Sequence, residues 1–129
     1  KVSPDLAHQQ LDEIIDYCLR SGIDGIVAGN TTRSREGITS ISKEKIEAIG
    51  NGGMSGAPLH KRNLELVKYV HTRSEGKLPI IGVGGIMTPE QAKAMLDAGA
   101  SLVEIYTGFV YEGPALIKNI IKYLETAGK

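Results

Sequence analysis

Charge of either sign is balanced in this chain: fifteen Lys and Arg stand against fifteen Asp and Glu, for a formal net charge of zero. Nothing in that balance points to nucleic acid or to an anionic surface as a partner. There is one cysteine, Cys18, which excludes an internal disulfide and a cysteine-rich metal site. It falls in a helical apolar pattern and reads as a small core residue. The three histidines, His8, His60 and His71, have no spacing for a metal site or a catalytic triad and read as helix-surface or loop residues. No apolar run approaches the ~20 residues of a membrane helix, and none of these residues reads as a secretory leader. A dinucleotide fingerprint is also missing, because Gly82-Val-Gly-Gly-Ile puts Met87 where G-x-G-x-x-G needs its last glycine. The Walker pattern G-x-x-x-x-G-K does not occur. The chain begins at Lys1-Val2-Ser3-Pro4 without an initiator Met and has 129 residues. That is enough for one core but short of the ~250 typical of a complete (β/α)8 barrel, so it reads as part of a longer protein.

What the chain does have is a stretch around which the rest is organised, Leu78-Pro-Ile-Ile-Gly-Val-Gly-Gly-Ile-Met-Thr-Pro-Glu90. Leu78 to Val83 has the near-continuous apolar character of a parallel strand covered on both faces. Gly84 and Gly85 follow and leave the backbone bare, either for a tight turn or so that its N–H groups can approach a ligand. Thr88-Pro89-Glu90-Gln91 then reads as a helix start, with Thr88 as N-cap, Pro89 at the first helical position and Gln91 completing a capping box. A glycine turn and a helix start after a parallel strand suit an anion, with phosphate the leading candidate. A second copy of the pattern favours the ligand reading over the plain turn. Leu102 to Ile105 is another buried-strand run, and Tyr106-Thr107-Gly108 supplies a hydroxyl and open backbone at its end. In (β/α)8 barrels a phosphate site is often built by the loops after the last two strands and a short extra helix.

Taken in order, Lys1-Val2 looks like the tail of a strand, and Ser3-Pro4-Asp5 supplies turn and cap chemistry. A helical stripe follows at Leu11, Ile14, Ile15, Cys18 and Leu19, stopped by Gly22. Gly25 to Gly29 is a short buried strand that delivers Asn30-Thr31-Thr32. From Arg33 to Leu59 no strand is expected, only a partial helix at Lys43 to Ile49, in a connection long enough to suggest a functional role or disorder. A helix covers about Leu64 to Thr72, another starts at Pro89 with Ala92, Met95 and Leu96 inward, and the last runs from Pro114. Its inward set is Leu116, Ile117, Ile120, Ile121 and Leu124. Strands alternating with helices mean parallel α/β, and the pattern itself leaves half of a closed barrel and an open doubly wound sheet as alternatives.

With these motifs placed, the chain resembles the C-terminal half of a class 2, quinone-reducing dihydroorotate dehydrogenase. The matching stretches are Lys1-Val-Ser-Pro-Asp-Leu6, Asn30-Thr-Thr32 with Arg35, Gly52-Gly-Met-Ser-Gly-Ala-Pro-Leu59, Pro79-Ile-Ile-Gly-Val-Gly-Gly85, Ala98-Gly-Ala-Ser-Leu-Val103 and Ile105-Tyr-Thr107, closing on Gly113-Pro114. They occur in the family's order and span nearly the whole chain. The resemblance implies an α/β fold, a (β/α)8 TIM barrel of which residues 1–129 form roughly the C-terminal half of a single FMN-binding domain. It implies oxidation of dihydroorotate to orotate in pyrimidine synthesis, with a quinone reoxidising the flavin. It further implies peripheral attachment through an N-terminal segment absent from this chain. The membrane would be the bacterial cell membrane on its cytoplasmic side, or the mitochondrial inner membrane in a eukaryote.

Residue by residue, the resemblance implies that Lys1 lies at the flavin ring, where a fixed cation stabilises a reduced flavin that is anionic near N1. It implies that Asn30 and Thr31 hold the pyrimidine, and that Gly56, Gly85, Tyr106 and Thr107 surround the FMN phosphate, with Ser55 as an adjacent donor. Arg35 orders its loop, sits near the phosphate or makes a surface ion pair. At position 29 the family commonly carries a Thr that touches FMN; here it is Gly29, so only a backbone contact is expected. The family's catalytic base, a Ser that takes the substrate's C5 proton, belongs to the other half of the barrel, and no residue of this chain is assigned that role. Two other readings fit the glycine motif alone: another phosphate- or FMN-binding barrel enzyme, and a non-catalytic half-barrel that binds a phosphorylated ligand. Asn30-Thr-Thr together with Gly-Gly-Met-Ser-Gly argues against the former.

Overall fold

A computed structural model describes residues 1–36 and 38–128. Its centre is a parallel sheet of β1 (Ile26–Ala28), β2 (Ile80–Val83) and β3 (Leu102–Glu104), in that order. The register sets Ile26 beside Ile80, and Ile81 beside Leu102. Val2 extends the sheet as a parallel bridge to Ala28, its N–H donating to the Val27 carbonyl at 3.0 Å. The strand stub expected at Lys1-Val2 is therefore present. The helices are α1 (His8–Ser21), α2 (Lys43–Ile49), α3 (His60–Arg73), α4 (Pro89–Asp97), α5 (Thr107–Glu112) and α6 (Pro114–Thr126), with a 3-10 turn at Ala57–Leu59.

Alternation along each strand sends successive side chains to opposite faces. Ile26, Ala28 and Ile80 face the helices and are buried with Val2. Against them pack Leu11, Ile15 and Cys18 of α1, Leu66, Val67 and Val70 of α3, Ala92 and Met95 of α4, and Leu116 and Ile120 of α6. The in-register row on the other face, Val27, Ile81 and Leu102, runs from half-buried to 62% exposed. The apolar composition of Leu78–Val83 predicted cover on both faces, and this chain supplies it on one. Its strands and the Val2 bridge form an open arc, and among the described residues no element packs across its inner face.

Helix boundaries follow local chemistry. Thr88 Oγ1 accepts the Gln91 N–H at 3.3 Å, and Gln91 Oε1 accepts those of Thr88 at 3.2 Å and Met87 at 2.8 Å, so the capping box forms as expected. Gly22 ends α1 at φ 72°. The cap of α1 differs from expectation. Asp5 is not the N-cap; Ala7 is, with its N–H donating to Gln10 Oε1 at 3.0 Å. The Asp5 carboxylate is drawn instead to Thr32 and Arg33 (below). Helix α3 starts four residues before the expected Leu64, because the 3-10 turn at Ala57–Leu59 leads straight into His60. Leu19, Ile117 and Ile121 lie on the outer edges of their stripes and are 40–52% exposed. Residues Thr107–Glu112, to which the sequence pattern assigns no element, form the short helix α5.

Candidate functional site: a cleft at the carboxyl ends of the strands

In parallel α/β folds ligands bind beyond the carboxyl ends of the strands, where loops meet helix starts. Here one cleft of about 460 Å³ lies in that place, within the ~300–1,000 Å³ range of small-molecule sites. The strand stub supplies Lys1, and the segment after β1 supplies Gly29, Asn30 and Thr31. Ser55 and Gly56 come from the long connection, Gly84 and Gly85 follow β2, and Tyr106 and Thr107 follow β3. Every residue that the sequence nominated for a cofactor or substrate lines this one cleft.

The loops are held by their own hydrogen bonds. Thr32 and Met54 form an antiparallel bridge, N–H to O at 3.1 Å and 2.7 Å, which sets Ser55-Gly56 beside Asn30-Thr31. Thr31 packs so closely on Gly53 that a Cβ there would overlap its hydroxyl. The Asp5 carboxylate accepts the Thr32 hydroxyl at 2.6 Å and the Arg33 N–H at 2.8 Å, with Arg62 Nε 3.5 Å away. Partial burial pushes this carboxyl up. The two hydrogen bonds and the charges of Arg62 and Arg33 outweigh that and hold it below the ordinary carboxylate value. Of the roles open to Arg35, the structure shows loop ordering: its guanidinium donates to the carbonyls of Thr32 at 3.2 Å and Arg33 at 3.3 Å, and to that of Gly52. It does not line the cleft.

Inside the cleft the polar groups come mainly from backbone. Gly84 and Gly85 have φ of 106° and 75°, a region that an L side chain rarely adopts. Among the described residues the N–H groups of Gly84, Gly85 and Tyr106 have no backbone acceptor. Thr107 opens α5, so its N–H is free of an intrahelical partner. Thr107 Oγ1 donates to Ser55 Oγ at 3.1 Å, joining the two loops around these donors. The glycine at 85 has a further cause: a Cβ there would overlap the backbone of His60 at the start of α3. Asn30 Oδ1 accepts the N–H of Thr31 at 2.9 Å, which leaves the donors of its amide for another partner. Lys1 Nζ lies 3.6 Å from Glu104 Oε2, both half exposed. Glu104 was not foreseen, although its place in β3, two residues before Tyr106, puts it on the inner face with Leu102. Among the described residues no cluster of His, Cys, Asp and Glu could hold a metal.

The profile of the family described as dihydroorotate dehydrogenase matches residues 1–127. The chain belongs to the dihydroorotate dehydrogenase family. It is 48% identical over 118 residues to the dihydroorotate dehydrogenase (quinone) of Salinispora arenicola, covering 92% of this chain and 34% of that one. With the enzyme of the same name from Christiangramia forsetii the identity is 51% over 120 residues, covering 93% and 34%. The chain thus spans about a third of the length of the curated relatives it matches. Ligand-free DHODH from Eimeria tenella superposes with a TM-score of 0.85 at 34% identity, over 98% of this chain and 35% of its own. Its complex with ferulenol gives 0.83. The parallel arc is that of roughly half a (β/α)8 barrel.

Proposed function

We propose that this chain supplies the flavin-phosphate side, and part of the substrate side, of a dihydroorotate dehydrogenase that forms orotate and passes the electrons to a quinone. The observation that carries this reading is the row of unpaired backbone donors at Gly84, Gly85, Tyr106 and Thr107 in one cleft. Backbone N–H groups at a helix start favour a phosphate dianion. The phosphate is read as that of FMN, since the glycine loops suit a terminal phosphate and no dinucleotide fingerprint accompanies them. When bound, FMN supplies the acceptor for the hydride that leaves dihydroorotate. Gly56, Gly85, Tyr106 and Thr107 hold its phosphate end. Lys1, on the inner face, sets a cation beside the ring. The free amide donors of Asn30 and the Thr31 hydroxyl orient the pyrimidine.

A proton must also leave the substrate, and four of the chain's eight serines lie outside the family's base motif and have partners in the fold. Ser3 accepts the Asp5 N–H, Ser42 caps α2, Ser55 bonds Thr107, and Ser74 is buried with its hydroxyl on the His71 carbonyl. The base is assigned to a part of the barrel outside this chain. Quinone as acceptor follows the name its relatives carry. Attachment at the membrane surface is proposed through a segment outside this chain, and among the described residues no helix is long and apolar enough to cross a bilayer.

The test is to purify the protein at full length, release its cofactor by denaturation and identify it, then add dihydroorotate without oxidant. FMN in the extract and bleaching of the flavin band are expected. Release of FAD, or of no flavin, overturns the reading. Bound FMN that dihydroorotate leaves oxidised would point instead to a non-catalytic phosphate-binding module.

A further inference from the structure

Beneath the cleft lies a side chain that none of the roles above uses. Asn63, in the first turn of α3, is completely buried. Its Nδ2 donates to the Val83 carbonyl at 2.7 Å, the last carbonyl of β2 before Gly84. The same oxygen accepts the Gly29 N–H at 3.3 Å. One acceptor therefore ties together the end of β1, the end of β2 and the start of α3. Asn63 Oδ1 is buried and has no hydrogen-bond partner among the described residues. A buried amide oxygen left unpaired costs folding free energy, so the side chain keeps its place against a penalty.

Two glycines make that place. A Cβ at Gly29 would stand 3.1 Å from Asn63 Oδ1 and 3.0 Å from Leu66 Cδ2, tighter than ordinary van der Waals contact. A Cβ at Gly84 would overlap Asn63 Nδ2. The amide thus fills the volume that side chains at 29 and 84 would otherwise need, and these two positions head the two loops that face each other across the cleft.

We propose that Asn63 is a positioning residue: a strut from α3 that sets the spacing between the Gly29-Asn30-Thr31 loop and the Gly84-Gly85 loop, and that crowds any side chain at position 29. It acts through the Val83 carbonyl and the two loop backbones and touches no ligand. The ligand whose affinity reports on it rests on the FMN reading above; the strut itself does not.

Two measurements on the full-length protein test it. The first is hydrogen exchange without ligand. Asn63→Ala should speed exchange of the Gly29 amide, whose N–H bonds the Val83 carbonyl, at least tenfold and leave those of Ile80 and Ile81 unchanged. The second is a double-mutant cycle between positions 29 and 63, read as FMN affinity and as thermal midpoint. Gly29→Ser alone should weaken FMN binding at least tenfold and lower the midpoint. In the Asn63→Ala background the same change should cost less than threefold, because the vacated volume accepts the serine. Asn63→Ser carries the same cycle if Asn63→Ala does not fold. Additive costs at the two positions, or unchanged exchange at the Gly29 amide, overturn the strut. If the parent protein binds no FMN the functional reading fails, while exchange and the coupling in thermal midpoint still decide the strut.

Discussion

The two faces of the same three strands differ in burial. On the helix side, Ile80, Val67, Val70 and Met95 are fully buried, and the face is closed within these 129 residues. On the inner side, Val27 and Ile81 are half-buried, Leu102 is open, and the cleft residues continue that face upward. Burial on the helix side holds the arc together. The inner side leaves polar backbone and a cation unpaired or loosely paired, which a ligand site needs and a core cannot tolerate. Stability and chemistry are thus divided between alternate residues of each strand.

The largest effect that would sharpen this comparison is on stability. Met95→Ala should cost about 2–5 kcal/mol, the range for a long apolar side chain removed from a closed core. Leu102→Ala should stay within about 0.5 kcal/mol, as at an open surface. Urea denaturation of the 129-residue chain measures both. Equal costs would mean that the inner face is covered in solution, and the comparison would collapse.

Next comes the division of labour within the cleft. Asn30→Ala in the full-length enzyme should leave flavin bound and lower kcat/KM for dihydroorotate by about 5–150-fold, the worth of ~1–3 kcal/mol for one hydrogen bond to a polar substrate. Gly85→Val should act on flavin occupancy instead. The structure adds a cause to the one read from sequence: the new side chain collides with the His60 backbone as well as crowding the anion donors. Added FMN should restore part of the rate in Gly85→Val and none in Asn30→Ala. The opposite pattern would exchange the two sites.

How much of this was legible beforehand follows from the range of the interactions involved. Caps, glycine stops and the apolar periods of α1 and α4 are local, and Thr88-Pro-Glu-Gln read correctly because its bonds close within four residues. The cleft was legible through motif order, since parallel strands bring successive loops to one end. What could not be read was long-range. Asp5 looked like a cap, but its partners are Thr32 and Arg33, 27 and 28 residues on. Glu104 reaches Lys1 only through the sheet, and nothing in the α3 pattern showed that Asn63 fills the space of an absent side chain at position 29. The inner-face exposure of Leu102 depends on strands outside the arc, on which strand composition is silent.

Acid should separate the two sides more gently. The helix-side core is apolar, whereas Asp5 braces the Thr32-Arg33 segment and His60 lies partly buried beneath Gly85. Burial holds the His60 imidazole below its usual 6.5. The unfolded chain then takes up a proton more readily than the folded one, so this contribution is whole above 6.5 and is lost as pH falls from there through the folded-state value. Asp5 is held below 3.8, so its contribution is whole above 3.8 and is lost as pH falls further. Stability against urea should therefore decline in two stages on acidification. His60→Gln should remove the first stage, and Asp5→Asn should shrink the second, to which Glu44, Glu75 and Glu90, also held below their ordinary value, contribute as well. A single stage untouched by either substitution would place the acid-sensitive groups elsewhere.

The smallest effect tests the electrostatics of the inner face. Lys1 and Glu104 form a half-exposed pair at 3.6 Å, and such pairs contribute about 0–1 kcal/mol to stability. Glu104→Gln should therefore leave the unfolding midpoint nearly unchanged. Its consequence falls on the cofactor. With Glu104 present, part of the Lys1 field ends on a carboxylate. With glutamine, the full positive charge acts on whatever anion the cleft holds, and the reduced flavin carries more negative charge than the oxidised one. The midpoint potential of the bound flavin should rise, by about 30 mV at most, since that shift in a two-electron couple corresponds to ~1.4 kcal/mol. Lys1→Gln should lower it by a similar amount, and in the double variant the Glu104→Gln gain should disappear. Spectroelectrochemical titration of the full-length protein reads all three, at low ionic strength where screening is weakest. A potential that ignores Glu104 but falls on loss of Lys1 would mean that the pair opens when flavin binds. A potential that ignores both would remove Lys1 from the flavin ring.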